Sequence, residues 1–411
     1  MSFIANAQFA SACASGTDWR DTVKAVLEQF GSLDPQGQPY NLGFLYLSDH
    51  LVQDAGSILN LFKAVLGIEH WVGGVSFGVC GNGESLMDVP AISVLVGRVA
   101  PEDFCIFPAM TLETAQAEKT LKPWFEKQDP MLVFVHGDPL SEQNPSVIVK
   151  KAEALTGGFV VGGLTTSRTD HLQFADTLQK EGVSGVVFSQ NIPVASMLSQ
   201  GCTPVSPVYT VTRCHEHTVW ELDSLKAAPV FEDCIRSMVI KKTDMDPDSV
   251  FVDSQALEDI QALPEEFRFL LDGEIHAAFP VLESDQNDYL VRNITGLDPE
   301  EGSLTLSESV SKGDRIMFVH RDHETVYQDL SARLVELRRR VEHDTGIFAP
   351  KGALYVSCIA RAFHQFEGVQ KNELALIREI IGDVPLAGFY AGGEVCKARL
   401  YGYTGILTLF L

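Results

Sequence analysis

The sequence contains no C-x-x-C pair. Its eight cysteines, Cys13, Cys80, Cys105, Cys202, Cys214, Cys234, Cys358 and Cys396, are widely scattered. That scatter reads as reduced, mostly structural thiols of a cytosolic protein. Basic charge is scarce too: 31 lysines and arginines stand against 55 acids, a net charge of -24. A nucleic acid is therefore not expected as a partner, because phosphate binding needs a basic footprint. No apolar run is long enough to span a bilayer, and none is expected to enter a membrane. The opening stretch "MSFIANAQFASACASGTDWRD" lacks the basic and apolar regions of a signal peptide, so a cytoplasmic location is expected. No Walker A and no G-x-G-x-x-G occurs, since Gly78, Gly81 and Gly83 come in the wrong order.

What is present is length, apolar residues and a repeat. The 411 residues are 45% hydrophobic, enough for two or three domains with their own cores. One module recurs three times. The first copy runs from "LGFLYL" through the helical "DAGSILNLFKAVLG" to "HWVGGVSFGVCGNGE" and "AISVLVG". The second reads "MLVFVHGD", "PSVIVKKAEALTG", "GFVVGGLTTSRTD" and "SGVVFS". The third reads "GALYVSCIA", "KNELALIREIIG", "PLAGFYAGGEVC" and "YTGILTLFL". Each is strand, helix, strand, glycine-rich loop, strand, which predicts an α/β fold of repeated modules whose helical stripes cover sheet faces. The small pairs Gly73-Gly74, Gly162-Gly163 and Ala387-Gly388 sit near the end of each second strand. Glycine there allows positive φ or a close backbone approach. A short strand-rich insert precedes the last module. It is expected to hold one helix over 223–239 and another with Val326, Leu330, Leu334, Leu337 and Val341 on one stripe. The expected division is a lead-in segment 1–41, a first domain 42–218 and a related domain 219–411.

Gly74-Val75-Ser76-Phe77-Gly78 has the spacing of a hydrolase nucleophile elbow. That device needs a helix right after the serine, and the glycines at 78, 81 and 83 argue against one. Ser76 is not expected to be a nucleophile and the chain is not expected to be an enzyme. An enzyme using Ser76, or a thiol such as Cys80 or Cys358, stands as an alternative. Aligned on the small pairs, Ser76 falls opposite Thr165, which Thr166 follows, and Tyr390. Hydroxyls beside the backbone amides of Gly74, Gly163 and Gly388 suit a small polar ligand. Further along the loops stand Cys80 and Glu84, Arg168, and Glu394. Arg168 suits a carboxylate and Glu394 an amine, so a zwitterion such as an amino acid is the expected ligand. Cys214, His215 and His217 lack a second pair of metal ligands, and no metal is expected. His320-Arg321-Asp322 has the order of a kinase catalytic loop, but Tyr327 stands where the metal-binding Asn would be. Haem needs an axial ligand in an apolar pocket, for which His136 and His364 are the better placed histidines; no cofactor is expected.

The chain resembles the FIST family, in both its N-terminal and its C-terminal domain, from about Leu42 to the end. "DYLVRNITGLDPEEGSLTLSESVSKGDRIMFVHRD" is similar to the family's "LVRN-x-x-G-x-DP" segment with its following "G-x-R-x-x-F" strand. "VSCIARA" is similar to its Ser-Cys-x-x-Arg motif, and "PLAGFYAGGEVC" to its Gly-Phe-x-x-x-Gly-Glu-Ile/Val signature. "LGFLYLSD" and "HWVGGVSFGVCGNGE" match the N-terminal domain more loosely. The resemblance implies a bacterial signal-input module that binds small ligands, with Cys358 and Arg361 joining the candidate ligand residues through the Ser-Cys-x-x-Arg motif. It implies a haem-binding nitric oxide sensor as the alternative. With no output segment recognised beyond the two domains, a signalling protein partner in trans is expected.

Overall fold

Each module is built on a parallel strand pair, which needs a crossover connection. In the first copy Leu42–Ser48 and His70–Ser76 run parallel, and the helix Ala55–Leu66 makes the crossover. Ile58, Leu59 and Phe62 of that helix bury against Leu45, Leu47 and Val75. Gly67, left-handed at φ 66, ends it. The second copy pairs Pro130–Gly137 with Phe159–Leu164 across the helix Pro145–Thr156, which starts on a proline behind an Asn144 cap. The third pairs Gly352–Cys358 with Leu386–Ala391 across the helix Glu373–Ile381. These are features of the computed structural model, which describes residues 8–31, 39–243, 275–281, 288–361 and 373–411.

A final strand of each copy returns antiparallel beside the first: Ala91–Gly97, Val183–Ser189 and Gly405–Phe410. Outside it lies an edge strand: Phe9–Ser15, Phe104–Met110 and Val194–Ser199. The segment expected as a lead-in, 1–41, thus supplies the first sheet with its edge strand. It also supplies the helix Trp19–Phe30, whose first turn is capped by Asp18.

The sixth-strand problem is solved by exchange. The glycine-rich loop of every copy forms a hairpin, and each hairpin joins the sheet of a different copy. The hairpin Gly78–Gly81/Glu84–Met87 of the first copy pairs with Leu386–Ala391 of the third. The hairpin Gln173–Ala175/Thr177–Gln179 of the second pairs with His70–Ser76 of the first. The hairpin Glu394–Cys396/Arg399–Tyr401 of the third pairs with Phe159–Leu164 of the second. Three six-stranded mixed sheets result, closed into a ring by donated strands. Two of the donated hairpins also bury a side chain in the acceptor's core, Phe174 in the first and Val395 in the second.

The two registers fix which residues are equivalent. Gly73, Gly162 and Gly388 face Leu45, Val135 and Tyr355 across the parallel pairs, and Phe174, Val395 and Cys80 across the hairpins. At all three, a Cβ would run into the carbonyl oxygen of the facing residue. Gly73 and Gly162 also have φ of 147 and 141. The close approach expected of these glycines is therefore real.

The sheet faces turned away from the helices meet through rings. Phe44 and Phe134 lie 6.0 Å apart, and Phe410 is 6.2 Å from Phe44. A second layer, Tyr46 and His136 two residues further along their strands with Phe389 of the third copy, packs at 4.9–5.7 Å. These rings come from all three sheets and form the axis of the ring.

The compact units of the chain are 1–199 with 330–411, and 200–329. This cut differs from the expected halves 42–218 and 219–411. The exchanged hairpins bind the last module to the first two, and the insert interrupts the third copy after its edge strand. The unit 200–329 holds a nine-stranded sheet among the described residues. Its strands include Tyr209–His215, Thr218–Leu222, Ile275–Pro280 and Arg315–His320. The helix Ala227–Thr243 buries Phe231, Ile235 and Met238 on that unit's core. It starts four residues later than the sequence suggests, behind a turn with positive φ at Asp223 and Ser224. Val326, Leu330, Leu334, Leu337 and Val341 of the helix His323–Thr345 are all buried, as their stripe predicts.

Candidate functional site

Side chains alternate along a strand, so the residues beyond Tyr46, His136 and Phe389 on the inner faces lie at the carboxyl ends of the parallel pairs. That is where open α/β sheets bind ligands. The structure brings Ser76, Thr166 and the carbonyl of Tyr390 together there. The Ser76 and Thr166 hydroxyls lie 2.8 Å apart and 2.5 and 2.7 Å from the Tyr390 oxygen. The backbone N–H of Phe77 donates to Thr166 Oγ1 at 3.0 Å. One residue from each copy thus joins a single, partly buried polar junction. Thr165 is beside it, donating to the Gly137 carbonyl at 3.1 Å, with His171 Nδ1 3.3 Å away. Gly74 makes room there: its missing Cβ would press on the Thr165 methyl.

The hydroxyl alignment expected from sequence is shifted by one in the third copy. Gly388 matches Gly73 and Gly162, so Ala391, not Tyr390, is the equivalent of Ser76 and Thr165. Tyr390 reaches the junction through its backbone. Its hydroxyl turns to Ser85 at 2.6 Å, and burial raises its pKa well above the usual value. After Ser76 comes the strand Gly78–Gly81, not the helix of a nucleophile elbow.

The charged candidates divide. Arg168 does not point a free guanidinium at the junction. It grips Asp49 through Nε at 2.9 Å and Nη2 at 2.7 Å, meets Asp88 at 2.8 Å, and lies over the Phe77 ring. The guanidinium holds the Asp49 carboxyl below its usual range against the opposing effect of burial. Arg361 is fully buried. Its Nε donates to Glu373, and its Nη groups donate to the carbonyl and hydroxyl of Ser199 at 3.1 Å. Glu373 in turn accepts from Tyr355 at 2.9 Å and Ser357 at 2.7 Å. Both arginines are therefore used in holding the fold.

Glu394 is different. It is fully buried opposite Gly163. Its Oε2 accepts from Thr404 N at 3.0 Å and Thr404 Oγ1 at 2.8 Å, while Oε1 has no hydrogen-bond partner. Burial raises the carboxyl from 4.5 to about 8, against the opposing influence of Thr404, Cys358 and Arg361. Two sequence-distant motifs, Ser357-Cys358 with Arg361 and Gly393-Glu394, are thereby brought to one place. Thr404 and Glu373 complete it and were not found from sequence. Neither lies in a motif, and only tertiary packing places them there.

Cys80 and Glu84 lie elsewhere on the donated hairpin. Cys80 is buried opposite Gly388, its thiol pushed well above the usual value by burial, and Glu84 is exposed. His136 does not fit a haem ligand. Its Nε2 is 3.2 Å from the Tyr46 hydroxyl, aromatic rings pack around it, and axial ligation would require repacking the axis. Burial lowers it to about 3. His364 lies outside the described residues. In the inserted unit, Cys214 donates to Val310 O at 3.2 Å, and His217 Nδ1 is 3.1 Å from Leu306 O. Among the described residues, no helix is long and apolar enough to cross a membrane.

Comparison with known proteins matches residues 41–224 to the FIST N domain and 255–397 to the FIST C domain. Uncharacterized protein Rv0628c of Mycobacterium tuberculosis is 28% identical over 351 residues, 83% of each chain. Uncharacterized protein Mb0898c of Mycobacterium bovis is 25% identical over 404 residues, 95% of this chain and 96% of that one. Among solved structures, T. maritima PurL complexed with FGAR aligns over 100% of this chain and 75% of that chain. Its TM-score of 0.24 and 11% identity carry no argument. The first two copies fall within the FIST N match, and the FIST C match reaches through Glu394. With both domains matched in order, the chain belongs to the FIST family, whose domains are associated with sensing in signal transduction.

Proposed function

We propose that this protein is a small-ligand receptor of a signalling system, binding a small polar molecule such as an amino acid at the carboxyl end of the axis. The observation that carries this reading is the meeting of Ser76, Thr166 and the Tyr390 carbonyl, one from each copy. A ligand that inserts among them touches all three copies at once. Its binding free energy is then felt by the whole ring, which is what a sensor needs. The signal passes to a separate protein partner, and the protein acts in the cytoplasm as a binding module rather than an enzyme. Ser76 supports this, because its hydroxyl is spent on a carbonyl. The test is a thermal-shift and native mass spectrometry screen of amino acids and small organic acids. At least one compound should bind with one-to-one stoichiometry and raise the melting temperature, and Thr166→Val should weaken it about tenfold. Equal binding by the variant would move the site away from the junction.

A further inference from the structure

We propose that Glu394, two residues past Gly392 where the turn abuts Thr166 of the junction, is a recognition group for the ligand and selects ligands carrying an ammonium group; the proposal rests on the ligand-binding reading above. The argument begins with the threefold repeat. Gln173 faces Gly74 on its hairpin as Glu394 faces Gly163 and as Val79 faces Phe389. Three equivalent positions at the axis thus hold an amide, a carboxyl and an apolar side chain.

The amide is complete. Gln173 Oε1 accepts from Ser184 N at 2.9 Å and Ser184 Oγ at 2.7 Å, and Nε2 donates to the Gly182 carbonyl at 3.1 Å. Glu394 reproduces only half of this. Thr404 fills Oε2 from its N–H and its hydroxyl, leaving buried Oε1 without a hydrogen-bond partner. A carboxyl oxygen buried in this way is costly unless a cation meets it.

No arginine donates a hydrogen bond to Oε1, although the charge of Arg361 is felt there. Arg361 pairs with Glu373 and Ser199, and Arg168 with Asp49 and Asp88. The thiol of Cys358, from the Ser-Cys-x-x-Arg motif, and the charge of Arg361 also act on this carboxyl, and burial outweighs them. The turn leading to Glu394 is Gly392-Gly393, with Gly392 exposed, so no side chain of the turn covers it. An ammonium offers three N–H donors to an oxygen that has none. With Arg168 committed elsewhere, the carboxylate of an amino acid is not the pole that is selected. Amines without a carboxylate belong to the same ligand class.

The experiment compares the amino acids with their N-acetyl and 2-hydroxy-acid counterparts, and with simple alkylammonium salts. Binding is measured by calorimetry to the parent, Glu394→Gln and Thr404→Val. Position 173 shows that an amide fits this register, and circular dichroism checks that Glu394→Gln is folded. An amine-bearing compound should bind the parent and lose at least tenfold on N-acetylation, on replacement of nitrogen by oxygen, and in Glu394→Gln. Thr404→Val, which removes the hydroxyl donor to Oε2 and keeps the backbone one, should retain the preference for the amine. If acetylated or hydroxy analogues bind as well, or Glu394→Gln binds amines unchanged, this proposal falls while small-ligand sensing stands. If no compound of any of these classes binds, both fall.

Discussion

The second and third copies donate hairpins of the same shape to neighbouring sheets, yet one presents Gln173 to the axis and the other Glu394. The backbone register is identical, and the donor and acceptor accounting is not. The amide is closed on its own module, so the second hairpin serves only to lock two modules together. The carboxyl keeps one oxygen in reserve, so the third hairpin locks and also presents chemistry. A pseudo-symmetric fold thus separates structure from function without changing its backbone.

The comparison breaks hardest where the equivalence is backbone. Gly73→Ala or Gly162→Ala adds a Cβ against a carbonyl at a φ that alanine rarely adopts. Each should cost about 3 kcal/mol or more in urea unfolding. Gly388→Ala meets the Tyr355 carbonyl without that φ and should cost less, though still over about 1 kcal/mol. Full tolerance at 388 would break the equivalence of the third copy.

The next test exchanges the two side chains. Gln173→Glu buries a carboxyl where an N–H₂ donates, and should cost about 3 kcal/mol at pH 8 but little at pH 5. The reverse change, Glu394→Gln, sharpens the same point. The folded carboxyl titrates at about 8 and the unfolded one near 4.5. Glu394 therefore contributes full stability below pH 4.5, and this is lost as pH rises towards 8. Relative to Glu394→Gln, the parent should weaken through this window, by up to about 5 kcal/mol in all. Parallel stability curves for the two proteins from pH 5 to 8 would show that the carboxyl is not desolvated.

The smallest effect is at the junction. Ser76→Ala removes one hydrogen bond to Tyr390 O and should cost about 1 kcal/mol in thermal unfolding. A loss above about 3 kcal/mol would make the junction a structural keystone rather than an openable site.

The repeat, its helices and its crossover strands were legible because helical stripes such as Ile58, Leu59, Phe62 and apolar runs such as Leu42–Ser48 are local signals. The glycine pairs were legible for the same reason, since a positive φ leaves its mark on one residue. The partner of each hairpin was not. Nothing between Gly78 and Met87 says that its strand belongs beside Leu386–Ala391, because pairing is fixed by tertiary geometry. The one-residue shift at Tyr390 has a similar origin. The third copy keeps a single obligatory glycine, Gly388, and Phe389 occupies the place of Gly74 and Gly163, so a match on small residues slides. The family motifs around Cys358 and Glu394 pointed to the same place as the structure. Arg168 misled because an arginine beside glycines looks alike whether it awaits a ligand or, as here, already holds Asp49.

The donated hairpins also set a schedule for the growing chain. The hairpin ending at Met87 leaves the ribosome long before Leu386, the start of its partner strand, has been made. At about 5–20 residues per second, the wait lasts on the order of tens of seconds. Throughout it the first module carries an unpaired strand edge, and its own sheet lacks a neighbour until residue 173 emerges. Nascent chains of this architecture are therefore natural clients for chaperones that shield strand edges, and translation pauses late in the message prolong the exposure more than early ones.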